Sequence, residues 1–574
     1  MPRSGATTVS DHRHPAPPAG ADPRAAMRRY REDDAVDFVI VGAGAAGGIV
    51  AKELAEAGFR VVALEQGPWR TERDFAHDEL SVIFGNALTN DPATSPGTYR
   101  KTADEPARRQ PIMTYVRGVG GGSIHYAANL WRFREVDFEE RSRKGPIAGA
   151  GLADWPIRYA DLEPFYTRAE YDLGVSGAPG PRDAFRSRPF PLPPLPPMST
   201  GRLLEKATAA LGWSVQAAPM GILSQPYAGR AACIGCGWCW GFGCEVRAKA
   251  STLATTVPRA VATGRCEIRP GSYVRKVEHD ARGRVTGVTY FDAERREHFQ
   301  RARAVVLCAN GAETPRLLLL SRSSLFPHGL ANSSGMVGTH VMFNGGPWSF
   351  GTFPEDVNAY RGPVTARITK EPYELDREGL QGGGGYDFRL NIPPAMLALW
   401  SRPPGVKGWG RSYVDFLRGL QRRMVIAAAH TTSLPVPGNG FDLDPELKDA
   451  WGLPALRLTF REHPEDLKTY RWFQERGQAL LAAAGATTIW ADPIDDGISF
   501  PPPHLLGTCR MGHDPATSVV DASHRAHDVP NLFIVDGSSF VTSGRGQPTL
   551  TIMALAYRAA SEMSRLARAG ALGS

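Results

Sequence analysis

No stretch of the chain reaches the roughly 18 consecutive apolar residues that a membrane-spanning helix requires. The best candidate, Phe38 to Ala51, is short and broken by glycine, so no membrane span is expected. Cysteine is scarce as well: seven in 574 residues is too few for the disulfide framework that small secreted domains use in place of a core. Nor does one charge dominate. Sixty-six Lys and Arg face 59 Asp and Glu, and of the resulting +7 the stretch Met1 to Glu32 supplies +3, from six Arg against two Asp and one Glu. The remainder is nearly neutral, which gives no reason to expect nucleic acid as a partner. Arg28-Arg29 has the look of a twin-arginine export signal, but Tyr30-Arg31-Glu32-Asp33-Asp34 stands where the apolar region of such a signal belongs. A cytoplasmic chain is the expectation.

What the sequence does have is 42% apolar and 9% aromatic residues and length enough for two or three folding units. Residues 1–34 are rich in Pro, Ala and Arg without apolar periodicity and read as a disordered tail. Val36 to Val41 reads as a fully buried strand, followed by glycines, an Ala-rich helix to Gly58 and a second apolar strand, Arg60 to Leu64. A second α/β pattern lies at Ala302 to Leu320, with a strand at Ala304 to Cys308 and a helix at Pro315 to Leu320. Proline-dense connectors such as Pro189 to Pro197 separate the regions. From Met336 to Ile498 the composition changes: Gln381 to Gly385 is glycine-rich, several Trp appear and no phosphate loop does. The C-terminal part returns to a strand, Leu532 to Val535, and ends in an amphipathic helix from Pro548 to Leu566. The fold class expected is α/β, a Rossmann-type dinucleotide domain with a separate α+β cap. Residues 35–135 form the first part of the dinucleotide domain and 136–200 connector and cap elements. Residues 201–335 form its second part, 336–498 the cap and 499–574 its C-terminal part.

Gly42-Ala43-Gly44-Ala45-Ala46-Gly47 follows a buried strand and opens a helix, and Glu65 ends the next strand 23 residues after Gly42. Gly42 permits the tight turn, Gly44 lets a pyrophosphate approach the backbone, Gly47 lets helix pack on strand, and Glu65 accepts from ribose hydroxyls. An acid at Glu65 favours a free 2′-hydroxyl, hence FAD or NAD over NADP. A second glycine-dense loop, Val116 to Ser123 with Gly121, Gly122 and Ser123, suits close approach by a large planar cofactor.

Four cysteines fall within twelve residues, Cys233, Cys236, Cys239 and Cys244. The spacing approaches the ferredoxin run but lacks its three-residue last gap and following proline. It also admits a tetrahedral zinc site with four thiolate ligands, reduced thiols packed in a loop, or a local disulfide.

Taken together, the chain resembles the glucose-methanol-choline (GMC) oxidoreductases, FAD enzymes, from about Val36 to the C-terminal helix. The resemblance rests on the Gly42 to Gly47 turn with Glu65 and on the Gly120 to Asn129 loop. It rests also on Gly311-Ala312-Glu313-Thr314-Pro315, on His504 to Gly512, and on Asp536-Gly537-Ser538 leading to Pro548-Thr549-Leu550-Thr551. The whole most resembles the branch containing bacterial gluconate and glucoside dehydrogenases. The resemblance implies that an alcohol or sugar CH–OH group is oxidised to a carbonyl with His504 as base, a role suited to a side chain titrating near 6.5. It places Asp536, Gly537, Pro548 and Thr549 near FAD and His125 where some members attach the flavin covalently. It implies an iron–sulfur relay in the cysteine loop of similar dehydrogenases. The family's second catalytic Asn or His is here Gln547, one methylene longer than Asn. Electrons would pass to a non-oxygen acceptor, a small subunit or partner protein among them. An O2-using oxidase and a hydroxynitrile-lyase-like flavoprotein without redox chemistry are the alternatives, and a NAD-dependent reductase is disfavoured by the second glycine loop and the His504 motif.

Overall fold

The computed structural model describes residues 22–390, 392–400, 402–498 and 502–572. Residues 1–21 of the expected tail lie outside the described residues, as do residues 499–501 at the start of the C-terminal part. The rest of that tail is not disordered. Met27 is buried and receives the Ile268 N–H at Sδ (3.3 Å), while Tyr30 donates from its N–H to Glu267 (2.8 Å) and from its hydroxyl to the Arg265 carbonyl (3.0 Å). Two apolar anchors suffice to seat the segment on the edge strand Cys266–Pro270, whose outer side would otherwise be open.

Five strands lie side by side and parallel: Cys266–Pro270, Val61–Glu65, Val36–Val41, Glu297–Leu307 and Leu532–Ile534. Parallel strands covered on both faces need apolar residues at every position; Val61–Glu65 is accordingly buried throughout. Helices Thr256–Ala262 and Thr549–Arg568 both pack against Gly47–Glu56. This is the expected Rossmann-type arrangement. Glu297–Leu307 is longer than the strand read from the sequence because it carries two successive pairings within one seven-stranded sheet. Its first half pairs antiparallel with Val285–Phe291, and its second half with Val36–Val41 and Leu532–Ile534.

The cap is a six-stranded sheet in the order Thr488–Ala491, Trp348–Thr352, Met424–Thr431, Gly384–Arg389, Arg367–Thr369, Gln216–Ala217. Helices Pro464–Ala484 and Met198–Ala210 pack on it, closing a core that includes Phe350, Tyr386, Phe388, Phe473 and Leu480. The boundary read at residue 201 therefore needs correction: residues 198–217 belong to the cap, because Leu204 and Ala207 bury into that core. A third sheet joins Gly97–Arg100 and Arg108–Arg109 to Gly440–Lys448 and Pro454–Thr459, so it too crosses the boundaries drawn from sequence.

Candidate active site

The glycine turn sits at the C-terminal end of Val36–Val41. Gly42 has φ +93°, and a Cβ there would come within 2.5 Å of the Cys308 carbonyl oxygen; a Cβ on Gly47 would overlap Gly42 O. Helix Gly47–Glu56 starts from Ala46, which offers no side-chain cap; Gly48 N–H donates to Gly44 O (3.0 Å) and Ile49 N–H to Ala46 O (3.0 Å), and the positive end of the helix faces the glycine turn. The Glu65 carboxylate, raised in pKa by burial, accepts from Ala43 N–H (3.1 Å) and Gly67 N–H (2.9 Å). The second glycine loop docks directly on this turn through Gly120 N–H to Ala43 O (2.8 Å), and Ser123 Oγ braces it by donating to Gly120 O (2.6 Å). Gly44 has a use beyond the one inferred from sequence: its Cα meets the Gly121 backbone, where a Cβ on Gly121 would fall 2.7 Å away. Gly122 is exposed, with no atom within 4 Å of where a Cβ would stand. An uncapped helix start, a buried acid at the end of the second strand and open space over Gly122 fit a bound dinucleotide.

Three motif segments lock together beneath His504. Pro315, inside helix Asn310–Leu320, has no N–H to give to Gly311 O, and that carbonyl instead accepts from the Thr508 hydroxyl (2.7 Å). A Cβ on Gly311 would overlap Leu505 O. Asp536 clasps both neighbours: one oxygen accepts from Asn310 N–H (3.0 Å) and Thr314 Oγ (2.6 Å), the other from Ser538 N–H (2.8 Å) and Oγ (2.5 Å). Gly507 N–H donates to Gly537 O (3.0 Å) and Cys509 N–H to Ser538 O (2.7 Å). Asp536 and Gly537 thus hold the histidine-bearing segment. Pro548 and Thr549 open the C-terminal helix.

His504 Nδ1 lies 3.1 Å from the carbonyl oxygen of Asn344. A carbonyl only accepts, so Nδ1 carries the proton and Nε2 keeps its lone pair. Burial pushes the imidazole down to about 4, with the Asn344 bond opposing and His430 adding a smaller push downwards; at neutral pH the ring is an uncharged base. Asn344, at φ +44°, also donates from Nδ2 to the carbonyls of Ser543 (3.1 Å) and Gly544 (2.8 Å). It therefore ties the His504 ring to the segment that carries Gln547, a link the sequence reading missed because a backbone carbonyl leaves no signature in residue identity.

The sequence reading missed His430 too. It stands on the cap strand Met424–Thr431, with Nδ1 2.7 Å from Gln547 Nε2 and Nε2 2.8 Å from Asp387 Oδ2. Arg389 bonds the same carboxylate, Nε to Oδ1 at 2.5 Å. Arg389 and His430 hold the buried Asp387 down to about 2, whereas burial drives His430 below its usual range.

The four clustered cysteines line one small cavity with Trp238 and Lys249, and none is in a disulfide. Burial pushes the Cys239 thiol up to about 12, and Cys233 and Cys236 in the same direction, so these thiols are neutral unless a cation takes them as thiolates. Lys249 Nζ, buried, donates to the carbonyls of Cys239 (2.5 Å), Phe242 (2.7 Å) and Tyr126 (3.2 Å). His77 and Glu245 bring ligand atoms within 4.8 Å of Cys236 Sγ, adding donors the sequence reading did not include. His125 adjoins this loop: its carbonyl accepts from Gly241 N–H (2.8 Å). Burial, helped by the Lys249 ammonium, pushes its imidazole down to about 4.

A dinucleotide turn joined to an uncharged imidazole beside a second, covering sheet is the equipment of a flavoprotein oxidoreductase. Family comparison agrees: the GMC oxidoreductase family matches residues 36–338 with its N-terminal model and 435–556 with its C-terminal one, and the chain belongs to that family. It is 34% identical to 2-methyl-1,2-propanediol dehydrogenase of Mycolicibacterium austroafricanum, over 93% of this chain and 96% of that protein. To the fructose dehydrogenase large subunit of Gluconobacter japonicus it is 30% identical, over 91% and 97%. The crystal structure of pyridoxine 4-oxidase from Mesorbium loti superposes with a TM-score of 0.58 at 18% identity, covering 92% of this chain and 98% of that one. Among the described residues no helix is long and apolar enough to cross a membrane.

Proposed function

We propose that this oxidoreductase is an FAD-dependent dehydrogenase that oxidises a CH–OH group of a neutral, hydroxylated small molecule. The reading is supported most by His504, whose protonation pattern is fixed by the Asn344 carbonyl. Nε2 takes the hydroxyl proton as the carbonyl forms, Nδ1–H stays on Asn344, and Gln547 meets the substrate oxygen. FAD, when bound, supplies the acceptor for the hydride leaving the same carbon. Gly42, Gly44, Gly47, Glu65, Gly121, Gly122, Ser123, Asp536, Gly537, Pro548 and Thr549 would hold it. Asp387 is already paired with Arg389 and His430, so its carboxylate is committed within the protein and is not free to meet a cationic substrate. The diol and ketose in the names of the two dehydrogenase relatives accord with a hydroxylated substrate.

Covalent attachment of FAD at His125 and a metal or iron–sulfur centre at Cys233, Cys236, Cys239 and Cys244 complete the proposal, with electrons leaving through that loop to a partner. "Large subunit", in the name of the fructose dehydrogenase relative, favours a protein acceptor. Acid precipitation that leaves all yellow colour in the supernatant would reject the covalent link, and protein purified anaerobically without iron and acid-labile sulfide would reject the relay. The reaction itself is tested by flavin bleaching under nitrogen with a panel of alcohols and sugars. His504→Ala should slow bleaching by about 10²- to 10⁴-fold; unchanged turnover in a flavin-loaded sample refutes the role of His504.

A further inference from the structure

The family resemblance places Asn or His at position 547; Gln547 is one methylene longer than Asn, so its amide has one more rotatable bond than an Asn amide to be frozen before it can meet a substrate oxygen. His430 is built to freeze it. The ring is held on three sides: by Asp387 at Nε2, by Gln547 at Nδ1, and by Trp131, edge-on with centroids 5.5 Å apart. Asp387 is itself fixed by Arg389 and by Asn129 Nδ2 (3.3 Å), and Asn129 accepts from Trp131 Nε1 (2.7 Å). Nε2 faces both Asp387 Oδ2 (2.8 Å) and Arg389 Nη2 (3.1 Å); Arg389 has the ionised carboxylate itself as acceptor, and that carboxylate requires the His430 proton on Nε2, which leaves Nδ1 as a lone pair. Only an N–H of the Gln547 amide can face that lone pair, so the amide has one orientation about its terminal bond, with Oε1 turned away from His430.

We propose that His430, oriented by Asp387, is a positioning residue that sets the Gln547 amide against the oxygen of the substrate hydroxyl. The inference rests on the dehydrogenase reading above. It brings a cap-sheet residue, far from the glycine and His504 motifs in sequence, into the geometry of the reaction.

The test uses the FAD-loaded enzyme and a substrate that bleaches the wild-type flavin under nitrogen. His430→Leu removes the acceptor and should slow flavin reduction at saturating substrate by about 10- to 100-fold, since small misplacements of a reacting group cost on that order. His430→Asn keeps an oxygen near the place of Nδ1 and should recover most of the loss. In a Gln547→Ala background His430→Leu should add nothing, because the two residues act through one contact. If the Leu variant loses flavin, His430→Phe, which keeps a ring and lacks the lone pair, replaces it. Equal slowing by Leu and Asn, effects that multiply across Gln547→Ala, or a change confined to KM would each overturn the proposal. Failure of every substrate to bleach the wild type would overturn the dehydrogenase reading; bleaching at equal rates in all variants would overturn this one alone.

Discussion

Two buried aspartates hold the two sides of the site, and they do it with opposite partners. Asp536 gathers neutral donors only, the N–H groups of Asn310 and Ser538 and the hydroxyls of Thr314 and Ser538, and burial leaves its carboxyl above the usual range. Asp387 on the cap strand is paired with the Arg389 guanidinium and His430, which bring it down to about 2 despite equal burial. Neutral donors suit a clasp whose work is to fix backbone segments side by side. A charged pair costs more to break, because removing one partner strands the other in a low-dielectric interior.

The largest effect should therefore come from Asp387→Ala, which leaves Arg389 buried without its carboxylate: a loss of about 3–5 kcal/mol in urea unfolding. Asp536→Asn should cost about 1–3 kcal/mol, since it removes a charge that burial already disfavours but misplaces one acceptor. Equal losses in the two variants would break the contrast. Thr508→Val, which strips the Gly311 carbonyl of its donor, should cost about 1 kcal/mol, and a neutral result would mean that another donor reaches that oxygen. A gentle trend with pH completes the series. His125, His340 and His504 sit at about 4 in the folded chain against 6.5 when free, so between those values the unfolded chain binds protons that the folded one refuses. These rings then withdraw stability as pH drops below 6.5; the buried Glu462, raised to about 7, works in the opposite direction over the first part of that range, and Asp387 adds its own loss only from 3.8 towards 2. NMR titration of the folded chain checks this ring by ring: an imidazole among the three that titrates near 6.5 would contradict its burial.

The same contrast separates what could be read in the sequence from what could not. The glycine turn, Glu65 and the His504 segment are contiguous, and each residue is explained by a neighbour a few positions away or by one backbone contact. The parallel strands were legible because burial on both faces makes them apolar end to end. His430 and Asp387 are 43 residues apart in sequence, and they meet only because Met424–Thr431 pairs antiparallel with Gly384–Arg389. No local pattern marks such a pair; a lone His in an Ala-rich strand reads as core. The cap boundary failed for a related reason, since helix Met198–Ala210 looks like any amphipathic helix until the sheet that receives its apolar face is known.

Pro315 gives the His504 segment an attachment that an ordinary helix would deny it. By withholding one amide hydrogen, it keeps the oxygen of Gly311 vacant inside the helix, and the side chain at position 508 plugs into that vacancy like a pin into a socket. Alanine at 315 would let the helix close on itself and make it sturdier alone, while loosening the joint on which the imidazole's aim depends.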